Sequence, residues 1–211
     1  MNNKNDNQPE NKEQEPKYYV GIGASAGGLE ALEAFFNTMP SDSRMAFIVI
    51  QHLSPDYKSM MVELLSKRTS MPVHRAEEGM LILPNHVYLI PPKKNLTIFH
   101  GKILLTNITH DRGINLPIDV FFQSLAEDQA EKAVGVILSG TGSDGVRGLR
   151  AIKENGGMVI VQKVESAKFD GMPRAAISTG LADFILAPQE IPEKLIAFSN
   201  RGFKIKTDHP Q

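Results

Sequence analysis

The chain has 211 residues, 41% of them hydrophobic and 22% charged, which suits one globular domain with a sizeable core. Lys+Arg at 23 against Asp+Glu at 24 leave no basic field to draw in nucleic acid or anionic lipid. The absence of cysteine excludes a disulfide frame, a thiolate metal site and a cysteine nucleophile.

No apolar run reaches spanning length and the N-terminus lacks the apolar stretch of a signal peptide, so a cytoplasmic location without membrane insertion is expected. Residues Met1 to Pro16 are almost wholly polar, a composition that cannot bury enough apolar area to offset backbone ordering. They read as a disordered leader (1–16), followed by one domain over 17–198 and a polar tail over 199–211.

The stretch from Tyr19 to Gly28 opens with a short β-branched run that breaks into glycines and small residues, with Ser25 in the turn, after which Leu29, Leu32, Phe35 and Phe36 recur at helical spacing. Such a strand, tight turn and helix start is a place for an anion or a nucleophile. Three readings of the turn compete. Gly21-x-Gly23-x-x-Ala26 fits a loose dinucleotide fingerprint, but the second strand ends in Gln51-His52 where that motif needs an acid. Gly23-Ala24-Ser25-Ala26-Gly27 also spells a nucleophile elbow, though only one strand precedes it. The third reading is a bare structural turn.

Further along, Met45 to Ile50 predict a strand covered on both faces, Ser54-Pro55-Asp56 a turn, and Met60, Met61, Leu64 and Leu65 a helix ending before Arg68. Met71 to Thr106 read as short extended pieces punctuated by proline, closing in a hairpin around His100-Gly101-Lys102. Asp111 to Asn115 read as a polar loop. Pro117 opens a helix ending near Glu131, Ala133 to Leu138 form a strand, and Gly140 to Gly145 form a second glycine turn. A helix from Val146 to an Asn155-Gly156-Gly157 cap, a strand over Met158 to Val161, a helix over Met172 to Thr179, and a last strand and helix follow. The alternation predicts an α/β fold with a mainly parallel sheet, helices on both faces and the hairpin as an antiparallel edge.

In such a sheet the site lies at the carboxyl ends of the strands. The first buried strand delivers Ser25, the second His52 and the strand before Gly140 delivers Asp144, the side chains of acyl-transfer chemistry. Each also has an ordinary reading: Ser25 as a turn hydroxyl, His52 as a core histidine, Asp144 as an N-cap. The rival carboxylate is Asp119, which falls in the first turn of a helix, where negative charge is favoured anyway.

Together Gly23-Ala24-Ser25-Ala26-Gly27-Gly28, Gln51-His52, Asp119-Val120-Phe121-Phe122, Ser139-Gly140-Thr141-Gly142-Ser143-Asp144-Gly145 and Gly171-Met172-Pro173-Arg174 resemble the catalytic domain of the CheB protein-glutamate methylesterases of bacterial chemotaxis, from about Val20 to Leu195. The resemblance implies a doubly wound domain that hydrolyses γ-glutamyl methyl esters on chemoreceptor helices, with glutamine deamidation as a related activity. It implies Ser25 as nucleophile, His52 as base, Asp144 as its orienting carboxylate, and the backbone N–H of Thr141 as an oxyanion donor; a second donor is expected near Ala26, at the helix start. Neither a metal nor another cofactor is expected. Members often carry threonine where this chain has Ala26, methionine at Thr141 and Pro-Ser-Val at Leu116-Pro117-Ile118. Many also carry an amino-terminal receiver domain, in whose place stand the 16 polar residues. The chain looks instead like the esterase module at the front of multidomain sensory proteins that continue into methyltransferase and sensor kinase parts, and its activity is expected not to respond to phosphodonors. A different reading keeps the turns at Ser25 and Thr141 as a catalytically silent module binding a phosphate or an acidic protein partner.

Overall fold

In a computed structural model, the structure describes residues 14–51, 60–108 and 113–201. His52, the Ser54 to Asp56 turn, most of the predicted leader and most of the predicted tail lie outside those residues.

The continuous apolar runs become a parallel sheet: β1 (Tyr19–Ala24), β2 (Ala46–Gln51), β3 (Val73–Arg75), β4 (Val87–Leu89), β7 (Ala133–Ile137), β8 (Met158–Gln162) and β9 (Phe184–Leu186), in the order β3-β4-β2-β1-β7-β8-β9. Every residue of β1, β2, β7 and β8 is buried, because helices cover both faces. Along the strands the side chains alternate between two cores. Val20, Ile22, Phe47, Val49, Val136 and Ile160 face one core with α1 (Gly28–Thr38), α2 (Met61–Ser66) and α6 (Ile191–Arg201). Ile48, Ile50, Ile137 and Val161 face the other with α3 (Pro117–Gln129), α4 (Val146–Glu154) and α5 (Gly171–Ser178). The fold is therefore doubly wound.

The predicted hairpin forms as β5 (Lys94–Phe99) and β6 (Lys102–Asn107), turning through His100 and Gly101, whose φ values of 49° and 70° are those of a two-residue hairpin turn. It is a separate two-stranded sheet and not an edge of the main one. What holds it is α3: the Ser124 hydroxyl accepts from the Ile98 amide at 3.1 Å, and the Asp128 carboxylate accepts from His100 and Gly101 at 2.6 and 3.0 Å. The edges of the main sheet are instead the parallel strands β3 and β9.

The placement of α3 is set by two glycines. Gly21 of β1 and Gly135 of β7 lie opposite each other in register, which leaves a patch of sheet without side chains. Phe121 and Phe122 of α3 fill it: a Cβ on Gly21 would fall 2.8 Å from the first ring and 3.0 Å from the second. Both rings are fully buried. Their seat fixes the height of α3, and so brings its first turn to the carboxyl-terminal rim of the sheet.

Truncation of Phe122 to Ala leaves a cavity between β1, β7 and α4 and is expected to cost about 3–5 kcal/mol. The midpoint of urea unfolding should fall at unchanged slope, whereas Ile114→Ala, at the surface, should move it little.

Candidate functional site

From β1 the chain passes to β2, then to β3 at the edge and back to β4 between them, and from β7 it runs through β8 and β9 in the opposite sense, so the switch point lies between β1 and β7. Two turns leave the sheet there. One carries Ser25 and the other begins at Ser139, and they are stitched together: the Leu138 amide donates to the Gly23 carbonyl at 2.9 Å and the Ser25 amide to the Ser139 carbonyl at 2.9 Å. The approach is so close that a Cβ on Gly140 would lie 2.8 Å from the Ser25 Cβ and would also strike the Met172 sulfur. Position 140 is therefore confined to glycine.

The Ser139 hydroxyl ties in a third loop. It donates to the Ala26 carbonyl at 2.8 Å and accepts from the Phe169 amide at 3.0 Å. The Gly140 amide donates to the Phe169 carbonyl at 2.9 Å, and the Met172 amide to the Gly140 carbonyl at 2.8 Å. Below them the buried Gln162 side chain accepts from the Ser139 amide at 2.8 Å and donates to the Ser166 carbonyl at 3.0 Å. Gly27, with φ of 69°, lets the chain turn into α1 within this knot. The result is a half-buried Ser25 on a backbone fixed from three sides, opening into a cleft of about 460 Å³.

Asp144 lies at the other side of the Gly140 turn and is 8% exposed. Its two carboxylate oxygens accept from the amides of Ile118 and Asp119 at 3.0 and 2.9 Å, the second and third residues of α3. The sequence offered Asp144 as a cap for the helix that follows it, but the residue at that position is Gly145, with no side-chain cap. Asp144 caps α3 instead. Asp119 returns the arrangement: its carboxylate accepts from the Gly148 amide in the first turn of α4 at 2.8 Å. Each helix start is thus capped by the aspartate beside the other.

Asp119 does fall in the first turn of α3, as the sequence predicts, but it is buried there, only 8% exposed. Burial pushes its carboxyl above the usual carboxylate range; the Gly148 amide pulls the other way, and the nearby negative Asp144 adds to the rise.

Of the residues singled out in the sequence, Ser25 and the Ser139 to Thr141 turn meet directly, and Thr141 is exposed in its turn. Asp144 is linked to the serine side through Ile118, whose amide it holds and whose side chain packs where a Cβ on Gly23 would stand, 2.6 Å away. Ala26 is engaged through its carbonyl. His52 follows Gln51, the last residue of β2, and is outside the described residues. Ser139, Gln162 and the capping role of Asp119 had no signal in the sequence beyond the Ser-Gly start of the glycine turn. Among the described residues no group of three or more His, Cys, Asp or Glu could hold a metal ion, and no helix is long and apolar enough to cross a membrane.

The raised Asp119 pKa gives a pH signature. A carboxyl with a raised folded pKa contributes stability that is fully present below the ordinary aspartate range and is lost as pH rises through the folded value. Asp119→Asn keeps an acceptor for Gly148 and removes the charge. Thermal melts should therefore show the variant at or above wild type at pH 7–8, with its relative advantage shrinking as pH falls. Asp119→Ala removes the cap and should cost about 0.5–2 kcal/mol.

A family model described as CheB methylesterase matches residues 20–195. The putative protein-glutamate methylesterase/protein-glutamine glutaminase of Leptospira interrogans is 35% identical over 186 residues, which cover 88% of this chain and 96% of that protein. The protein-glutamate methylesterase/protein-glutamine glutaminase 1 of Xanthomonas campestris pv. campestris is 37% identical over 184 residues, 85% of this chain and 51% of its own length. The crystal structure of the Thermotoga maritima CheB methylesterase catalytic domain superposes with a TM-score of 0.78 at 32% identity, covering 86% of this chain and 98% of that one. With the doubly wound sheet and the serine turn at its switch point, these matches establish that the chain belongs to the CheB methylesterase family.

Proposed function

We propose that this chain is a protein-glutamate methylesterase of chemotaxis-type signalling that acts as a serine hydrolase through Ser25, His52 and Asp144. The observation that carries this reading is the fixed Ser25 turn, pressed against Gly140 at the mouth of a cleft. A nucleophile gains most from a backbone that does not move, because the attack geometry is then set before substrate arrives.

Ser25 Oγ attacks the γ-ester carbonyl while His52 takes its proton. His52 then passes that proton to the departing methoxy oxygen, and methanol leaves a glutamyl ester on Ser25. Water, deprotonated by His52, attacks the same carbonyl; the Ser25 oxygen leaves with the proton, and free glutamate results. Asp144 fixes the histidine tautomer and stabilises the imidazolium. Its two amide partners on α3 suit this task, since they hold the plane of the carboxylate. The backbone N–H groups of Thr141 and Ala26 stabilise the oxyanion. With a glutamine side chain the same steps release ammonia, which is the deamidase activity.

The substrates are chemoreceptor segments, the work is done in the cytoplasm, and methyltransferase and sensor kinase parts are the neighbours with which such a module is expected to be joined or associated.

The test is release of volatile methanol from methyl-labelled receptor membranes. Ser25→Ala should lower kcat by about three decades or more, and Ser25→Ala with His52→Ala should be little worse. Asp144→Asn should be comparably severe, while Asp119→Asn in a protein of checked melting temperature should keep the chemical step. Loss of hydrolysis on Asp119→Asn together with its survival in Asp144→Asn would overturn the assignment of the third residue. Tight receptor binding with no release by wild type would point to the silent binding module.

A further inference from the structure

The cleft in front of Ser25 contains a side chain that no step of the proposed reaction uses. Gln51 ends β2 beside Ala24, is 5% exposed, and neither its amide nitrogen nor its amide oxygen has a hydrogen-bond partner among the described residues. Leaving a buried polar group unmatched costs on the order of 1–3 kcal/mol, so it requires an explanation.

The surroundings of the amide are unlike on its two sides. On one lies a hollow of about 20 Å³ lined by Val49, Arg75 and Leu89, room for a single water. On the other lies the Ser25 cleft, and there Nε2 stands so close to the start of α1 that a Cβ on Gly28 would be 2.9 Å away. The first amides of α1 belong to the same space. Gly28 donates back to the Ser25 carbonyl at 2.9 Å, and Gly27, as N-cap, supplies no side chain. The amides that follow in the first turn have no partner within the helix itself. A helix start facing a buried donor makes this end of the cleft rich in N–H groups and favourable to negative charge. At the rim Glu30 and Lys168 pair with each other at 3.1 Å and so offset one another.

We propose that Gln51 and the first turn of α1 form a carboxylate-accepting subsite, which takes an acidic side chain of the polypeptide substrate flanking the esterified glutamate. Nε2 of Gln51 and the α1 amides donate to the carboxylate oxygens, and the reacting ester is thereby set before Ser25. Gln51 is a positioning residue: it acts on where the substrate lies and not on the bonds that change. The identity of the substrate rests on the methylesterase reading; the chemistry of the subsite does not.

The experiment uses synthetic peptides with one γ-methyl glutamate and either Glu, Gln or Leu at the neighbouring positions. Wild type is expected to favour the Glu peptide over the Leu peptide by about 5- to 10-fold in kcat/KM, expressed in KM. Gln51→Met should erase that preference, chiefly by raising KM for the Glu peptide, while raising Tm, since it removes the buried unmatched amide; Gln51→Glu should reverse the preference by repulsion. A Gln51→Met protein that melts higher and keeps the Glu preference overturns the proposal, for the amide is then only a water-satisfied buried group. If wild type releases methanol from none of the peptides, the methylesterase reading fails, and the subsite is judged by a second measurement. The ¹⁵N side-chain resonance of Gln51 in the Ser25→Ala protein should shift on titration with the unmethylated Glu peptide and not with the Leu peptide. No shift, or a shift with inorganic phosphate alone, overturns it.

Discussion

Two buried aspartates, each capping the helix next to the other, are the constraint on which the rest of this molecule depends. Side by side, two carboxylates away from water repel and are costly to desolvate. The cost is met by amides: Ile118 and Asp119 donate to Asp144, and Gly148 donates to Asp119. These are the groups that helices α3 and α4 cannot satisfy internally. Neither helix start can move without stripping a buried carboxylate of its donors, so the position of Asp144 is fixed by tertiary structure on both sides. The opposing pull on Asp119, raised by burial and by its neighbour, is the residue of that compromise.

The constraint reaches the core through α3. Phe121 and Phe122 press into the bare patch at Gly21 and Gly135, so the depth of an aromatic seat in the middle of the sheet sets where Asp144 stands at its rim. On the serine side the fixing element is smaller. One hydroxyl, Ser139, and one buried amide, Gln162, bind the turns that follow β1, β7 and β8 into a knot around Ser25. The two halves of the site are thus rigid for different reasons, one by helix capping and packing, the other by a polar network. Within that rigid frame Gln51 is, among the described residues, the one side chain with both buried amide atoms unmatched, Asn95 lacking a partner only at its oxygen. A fold that satisfies its carboxylates so fully has no structural reason to leave that amide open, and this contrast is what gives it weight as a place for substrate.

The family relationship sharpens what is particular to this chain. It spans nearly the whole of the Leptospira relative and about half of the Xanthomonas one, so the catalytic region is shared while the surroundings differ between relatives. The Thermotoga catalytic domain shares the fold at 32% identity, with a TM-score of 0.78.

The sequence by itself determined the buried strands at the centre of the sheet and the helices beside them, because continuous apolar runs, glycine turns and Pro117 at a helix start are local signals. It also pointed to two turns, the one at Ser25 and the one from Gly140 to Gly145, because both follow buried strands, and the structure brings them side by side. Tertiary structure alone decided the rest. Val73–Arg75 and Val87–Leu89 are three residues each among prolines, and only parallel pairing with β2 through β4 makes them strands of the main sheet. The hairpin was legible from its turn, but its station on α3 depends on Ser124 and Asp128, some 25 residues distant. Asp119 and Asp144 looked like ordinary helix-start residues because capping is usually local; here each caps across the chain, and no spacing along the sequence encodes that exchange. Gln51 was visible only as the residue before His52, since a missing hydrogen bond is a property of packing and leaves no mark in the sequence.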